Sequence, residues 1–597
     1  MVNNTSKRKR TQFSSCDACR HSRVACDALR PGPQNGRLRW RGSCSRCSRK
    51  EQQCTFEWIN RVKKKPLGLP RETSSDESSP LTAEPADVSQ TQWSSQIFHQ
   101  GFDSIFGLGV GKDSCPFIND PQSDVCIPAT KLFGVLDDFH AEQPDHQSQD
   151  DIIQVQIQRE ERDDQINEHL RRAIRAYTAR WLSLIPHRDD VQKSRDEEMI
   201  RESWRATRKD MLKVINRASY RSVLALYLFS RTPIPIGISE DEELDGISGL
   251  VCIQTALLQI QRLRERKVED SFHGSETSAW IDTLVRSVTT LSPQSAYLDL
   301  ESRAYWAAVM WDTSSSLTSN FRSSLTSGLK GACSEPVWRL VRSFLVGSFH
   351  PRTEDWRTKG FEVSDSTASQ ILSAAGVCKL YLWKITTSLK EALREGVDEE
   401  TLLFTWQSIH DTLDIFKTTI RPLLNVCERK LHFLDQLYRF RWYEVNLQYY
   451  LGIMIMVNTL EVTRRSDLLA EVMEARKDAE DESFNVVKFG IESTYTIQPP
   501  SENLGTSSIP GCATPSSQSP IVTSFITIDP YPHHLIDAVI LMSKAIIRKH
   551  RQGDIKHETY SYLSSILFEA LEKLPPYSKS AQIARDSLKT ATSMEDH

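Results

Sequence analysis

From residue 151 onward the apolar positions recur with the period of a helix, and no run of strand-like alternation competes with them. Residues 371–393 place Ile371, Ala375, Cys378, Leu382, Ile385 and Leu389 at alternating spacings of four and three, which makes one apolar helix face. Leu535, Val539, Met542 and Ile546 repeat the arrangement after DPYPHH, where Pro530 and Pro532 mark a helix entry. Leu170, Ile174, Tyr177, Trp181 and Leu184 form a shorter seam of two heptads, a length that suits packing within the chain rather than a coiled coil. The pattern predicts an all-helical domain over 151–597, interrupted by a Ser/Thr/Pro-rich, low-complexity loop at about 494–520.

Upstream the periodicity stops. Residues 66–150 turn to Ser, Thr, Pro and Asp, as in RETSSDESSPLTAEPADVSQTQ, and read as a disordered acidic/Ser-Pro linker. Its second part, 101–151, sets ten acidic residues and two lysines among Phe102, Phe106, Phe117, Phe133 and Phe139. That mixture suits an activation segment that folds on a partner, a plain spacer, or chain packed onto the body. Residues 66–100 carry no heptads, so any homodimer is expected through the helical domain.

Charge sharpens the division. Residues 1–65 hold 17 Lys or Arg against 4 Asp or Glu, a net +13, which leaves −17 on the other 532 residues to reach the chain total of −4. A short basic head on an acidic body is the electrostatic footprint of a nucleic-acid-binding module. No apolar run follows the basic start MVNNTSKRKR, and the most apolar stretch, YYLGIMIMV at 449–457, is too short for a membrane span. The expectation is a soluble intracellular protein with reduced thiols and no membrane partner.

Six of the thirteen cysteines sit in that head. Cys16, Cys19 and Cys26 are spaced C-x2-C-x6-C, and Cys44, Cys47 and Cys54 repeat the spacing. Clustered reduced thiols point to metal ligation rather than disulfides. Six thiolates cannot give two separate tetrahedral zinc ions four ligands each, so two sulfurs would have to bridge. The metal would supply the folding energy, because Val24, Leu29, Leu38 and Trp40 are the only large apolar residues between Cys16 and Cys54. The other seven cysteines are scattered singly and read as small buried apolar residues or inert loop thiols.

With this pattern, residues 14–60 resemble the fungal binuclear zinc cluster (Zn2Cys6) transcription factors. The resemblance implies a cofactor of two zinc ions, with Cys16 and Cys44 bridging, Cys19 and Cys26 completing one site, and Cys47 and Cys54 the other. It implies a nuclear, sequence-specific regulator of transcription by RNA polymerase II that reads CGG-like half-sites of double-stranded DNA in the major groove. Arg23, three residues before the third cysteine, stands where a base-reading side chain is expected, and arginine can pair bidentately with guanine. Arg20, Arg46, Arg49 and Lys50 look like phosphate contacts. The 17-residue joining loop DALRPGPQNGRLRWRGS is longer than the family's usual one, and the lysines favoured after the second cysteine are replaced in RHSRVAC. KRKR at 7–10 and RVKKK at 61–65 fit nuclear localisation or further phosphate contacts.

Within the body, ESRAYWAAVMWDTSSSL at 301–317 is similar to a recurrent stretch of the fungal regulatory domain, through Arg303, Tyr305, Trp306, Trp311 and Asp312. Read from the residues alone, Trp306 and Trp311 are core aromatics and Asp312 is a hydrogen-bond acceptor at a helix end. Transcription co-regulators are the partners such a domain implies. An enzyme is not expected. GLGVGKDS at 107–114 has Phe106 and Asp113 where a phosphate loop needs Gly and Ser or Thr, and no GxSxG or HExxH occurs. His533 and His534, side by side before a helix, read as surface capping residues. A zinc-dependent protein-interaction module with non-specific nucleic-acid binding is the alternative reading.

Overall fold

The apolar repeat at 371–389 becomes the helix Asp365–Glu395. Its start is a reciprocal cap: Thr367 donates its backbone N–H to the Ser364 hydroxyl at 3.3 Å, and Ser364 donates its own to Thr367 Oγ1 at 2.9 Å. It stops at Gly396, whose φ of 68° is the left-handed conformation that glycine adopts without a Cβ clash. All six residues of the predicted face are fully buried, and Leu372, Val377, Leu380 and Trp383 extend burial around the helix. The reason is central position, since the helices Pro293–Ser319, Glu399–Ile415 and Gln436–Val462 pack against it. Gly452 permits the last approach, because a Cβ there would stand 2.6 Å from the Trp383 ring. Gln436–Val462 contains the apolar stretch 449–457, and no helix among the described residues is long and apolar enough to cross a membrane.

The structure is a computed structural model that describes residues 16, 18–19, 29–31, 38–40, 44–50, 55, 85–118, 120, 122–141, 149–185, 190–271, 293–325, 335–358, 360–500 and 519–595. The chain is mostly helical and divides into two units, Met1–Ala83 and Glu84–His597.

That division differs from the expected linker over 66–150. The helices Pro85–Ile97, Ser104–Gly109 and Ala129–Ala141 belong to the second unit, so the boundary falls near residue 84. The aromatics explain it. Phe102, Phe106 and Phe133 are buried, Phe117 and Phe139 pack partly buried against the core, and Trp93, Ile97 and Phe98 add to it. The acids have local work as well. Asp137 accepts the backbone N–H groups of Tyr220 and Arg221 at 2.7 and 3.0 Å, capping the helix Tyr220–Ser230 from another segment, and it pairs with the Arg221 guanidinium at 2.8 Å. Gly107 and Gly111 serve packing: a Cβ on Gly111 would fall 1.7 Å from the Val125 carbonyl oxygen.

The body is not all-helical either. The strands Thr494–Ile497 and Ile521–Ser524 pair antiparallel, Thr494 opposite Ser524, so the first four residues of the segment expected as a loop at 494–520 are a strand. Tyr495, Ile497 and Ile521 are buried by this pairing. The seam residues Leu170, Tyr177 and Trp181 are buried against their own chain, where the Tyr177 hydroxyl donates to the Pro530 carbonyl at 2.9 Å and Trp181 Nε1 to that of Thr527 at 2.8 Å. Of the scattered cysteines, Cys115, Cys252, Cys378 and Cys427 are buried and Cys126 is exposed, while Cys333 and Cys512 lie outside the described residues. Burial pushes the thiols of Cys115, Cys252 and Cys427 up to about 12, which makes them inert small apolar groups.

In the stretch 301–317, Trp306 and Trp311 are core residues, Trp311 stacking on Tyr227 with ring centroids 3.8 Å apart. Arg303, almost fully buried, donates to the carbonyls of Val110 and Asp124, both at 3.0 Å, and so ties down the 110–124 turn. The Asp312 carboxylate accepts from the Ser323 hydroxyl and from the backbone N–H groups of Ser324 and Leu325, holding the chain that leaves the helix Pro293–Ser319. The Arg264 guanidinium lies 3.7 Å over the Tyr305 ring.

Candidate metal centre

The first unit has little apolar material, so its local order has to come from other sources. Strands β1 (Leu29–Pro31) and β2 (Leu38–Trp40) form an antiparallel hairpin inside the joining loop, with Leu29 opposite Trp40, Arg30 opposite Arg39 and Pro31 opposite Leu38. Between the strands the sequence reads GPQNGR, whose Gly, Pro and Asn-Gly favour a chain reversal. Three of the four large apolar residues between Cys16 and Cys54 therefore lie in this hairpin. Its presence was legible in that turn chemistry, which the loop's length obscured.

The second half-motif opens the helix Ser45–Arg49. Cys44 is its N-cap, extended at φ −68° and ψ 156°, and its Sγ accepts the Cys47 backbone N–H at 3.3 Å while Ser48 donates to the Cys44 carbonyl at 3.0 Å. The turn of helix carries Cys47 back toward Cys44, and Ala18 and Cys19 are helical in the first half-motif. The two halves then meet. Cys16, Cys19, Cys44 and Cys47 are fully buried, with all four sulfurs within 4.8 Å of one another. Cys16 and Cys44 lie 3.9 Å apart, Cys16 and Cys47 3.6 Å, and Cys19 and Cys44 3.5 Å.

These separations suit a metal ion. Four sulfurs placed tetrahedrally at about 2.3 Å from a zinc-like ion stand roughly 3.8 Å from one another, and the three short contacts bracket that value. Burial pushes the Cys44 thiol up, but the backbone N–H of Cys47 and the neighbouring Cys47, Cys19 and Cys16 thiols outweigh it and bring Cys44 down to about 6. A thiol that ionises below neutral pH is a ready metal ligand. Four nearby cysteines can thus hold a metal ion in this unit. Cys26 and Cys54 lie outside the described residues.

Of the basic residues, Arg46 is half-buried and Arg49 and Lys50 are exposed along the helix Ser45–Arg49 and its C-cap, where positive charge complements the helix dipole. Arg49 Nε donates to the Ser45 carbonyl at 3.4 Å. Arg20 and Arg23 lie outside the described residues.

In the second unit, His533 and His534 are not surface caps. The helix Pro532–Arg551 begins inside the domain, because Pro532 turns the chain inward against Gln436–Val462. His534 sits between Gln448 Nε2 at 3.1 Å and the Ser314 hydroxyl at 3.0 Å, and His533 Nε2 lies 3.3 Å from Arg231. Lys379 donates to Gln448 Oε1 at 2.5 Å, and Glu444 accepts from both Arg441 and Gln448. Burial holds both histidines well below their ordinary range, brings Lys379 down to about 7 and pushes the Asp529 carboxyl up to about 7. The network locks five segments together through polar contacts rather than presenting a free reactive group.

Fold and site together define a mostly helical protein with a separate N-terminal thiol centre fit for a metal ion. In comparison with known proteins, no family model, no curated protein and no solved structure matches the chain.

Proposed function

We propose that the protein is a nuclear, sequence-specific DNA-binding regulator of transcription by RNA polymerase II, whose first unit is a Zn2Cys6 binuclear cluster. The observation that carries this reading is the convergence of Cys16, Cys19, Cys44 and Cys47 from two half-motifs of identical spacing. Cys16 and Cys44 each make two of the short sulfur contacts, as ligands shared between two ions would. Cys26 and Cys54 complete the two sites in this reading. The zinc ions hold together a segment with almost no core, and the net +13 of residues 1–65 supplies the attraction to DNA. Arg23 reads bases, while Arg20, Arg46, Arg49 and Lys50 hold phosphates. The helical body acts as the regulatory domain that meets co-regulators and any second copy of the chain.

The test is binding of the full chain to a duplex carrying a CGG triplet, with excess random duplex as competitor and with and without a zinc chelator. The reading requires zinc-dependent binding that survives the competitor. Zinc-dependent binding that the competitor abolishes would instead favour a protein-docking zinc module with non-specific affinity for nucleic acid.

A further inference from the structure

We infer that the helical body carries a binding site for a small monocarboxylate, whose charge is met by the buried guanidinium of Arg180 and whose apolar part lies against Ile200, Trp204 and neighbouring prolines. The site belongs to the second unit and stands apart from the DNA-binding reading. Arg180 lies in the turn Ala179–Leu184 that follows the helix Gln149–Thr178, and it is only 2% exposed. Its Nε donates to the Tyr177 carbonyl at 2.9 Å and its Nη2 to the Arg231 carbonyl at 2.6 Å, with the guanidinium carbon 3.9 Å over the Tyr177 ring. Nη1 is buried as well and has no partner. Carbonyl dipoles and a ring face do not neutralise a full charge, so a guanidinium enclosed in this way lacks a counter-ion. The Asp529 carboxyl acts on it only through the field, and burial pushes that carboxyl up to about 7, so it is partly protonated at neutral pH.

Arg180 also forms part of the wall of a cleft, together with Ile200, Trp204, Pro233, Pro235, Pro575 and Tyr577. Two of the segments around it are tied to each other by their backbones: Ile236 donates to the Tyr577 carbonyl at 3.0 Å, and Lys579 to the Ile234 carbonyl at 2.9 Å. The hydroxyls of Thr232 and Ser578 line the cleft too, but both are engaged. Thr232 donates to the Leu228 carbonyl at 2.9 Å, and Ser578 accepts the Ala581 backbone N–H at 3.3 Å. The unmet group is thus a cation on a mostly apolar wall. A water reaching Nη1 would satisfy its hydrogens but not its charge, whereas a carboxylate does both. Apolar walls disfavour a phosphate dianion, whose second charge would have no partner. The cleft holds about 290 Å³ of empty space, counting its open mouth, at the lower end of the roughly 300–1,000 Å³ of small-molecule sites. That is room for a small acid rather than a peptide.

The experiment is isothermal titration calorimetry of the full-length protein with isobutyrate and with benzoate, using isobutyramide and benzamide as neutral analogues of the same shape. At least one of the acids should bind wild type at one molecule per chain with a Kd on the order of 1 mM or tighter, and its amide at least ~10-fold more weakly. R180Q removes the charge, and I200F fills the cleft while leaving Arg180 in place; a cooperative thermal transition reports that each variant is folded. Both should lose at least roughly 10-fold in affinity for the acid. No saturable binding of either acid by wild type would overturn the proposal, as would equal affinity for acid and amide. Wild-type affinity in folded R180Q or in folded I200F would also overturn it, because the acid would then lie elsewhere. Should R180Q not fold, I200F and the amide comparison decide. No arm uses DNA, so failure of the DNA-binding reading and failure of this site are read separately.

Discussion

Phe102 offers a direct test of where the body begins. It lies within the segment whose composition suits a disordered linker, yet it is fully buried. Its ring centroid stands 5.2 Å from Phe98, 5.7 Å from Phe106, 5.3 Å from Tyr177 and 6.4 Å from Tyr227. Tyr177 and Tyr227 come from the main helical pattern, so Phe102→Ala would open a cavity between the 98–106 segment and the rest of the core. Four large rings locked by their own packing leave little scope for collapse, and the cost should be about 3–5 kcal/mol. The unit spans Glu84–His597. At ~2.1 cal/mol/K of unfolding entropy per residue, roughly 500 residues give about 1 kcal/mol/K, so Tm should fall by about 3–5 °C. Differential scanning fluorimetry of the full chain measures this, and hydrogen exchange over 85–141 locates it. A Tm unchanged within a degree, together with unprotected amides in 98–106, would refute the packing assignment, because an unpacked phenylalanine leaves no cavity when truncated.

The full chain should bind two zinc ions by elemental analysis, and Cys16→Ser should lose both because its sulfur is shared; retention of one ion would mean independent sites. Arg23→Ala should cost about 1–3 kcal/mol on a CGG duplex and far less on random DNA, whereas Arg49→Ala should weaken both alike and lower the salt slope by roughly 1; equal losses for Arg23→Ala would make it another phosphate contact. Asp529, almost fully buried, keeps its proton in the folded chain up to about pH 7, so wild-type stability should fall as pH rises from about 4 to about 7 as the unfolded carboxyl ionises first. Asp529→Asn does not titrate and should gain on wild type across that window by an amount on the order of 2–4 kcal/mol, read as the difference in Tm between the two proteins against pH; a flat difference would rule out the raised carboxyl.

Much of the helical body is written in local pattern. The four-and-three spacing at 371–389 and at 535–546 needs only the period of a helix to be seen, and all ten positions are buried. The pairing of cysteines within a half-motif is equally local, since C-x2-C with one turn of helix returns the second cysteine to the first, as Cys44 and Cys47 do. Other features depend on partners far away in sequence. Phe102 and Asp137 sit in a stretch whose composition matches unfolded chain, and they are ordered only because Tyr177, Tyr227 and the start of the Tyr220–Ser230 helix arrive beside them. His533 and His534 are polar residues at a helix start, a usual surface position, and only the approach of Ser314, Gln448 and Arg231 makes burial tolerable by meeting their ring nitrogens. The sequence by itself determined periodicity, charge segregation and the duplicated thiol spacing, because these are properties of neighbours along the chain. Tertiary structure decided which acids cap, which aromatics pack and which histidines go inside, because hydrogen-bond satisfaction and close packing are settled by residues tens to hundreds of positions apart.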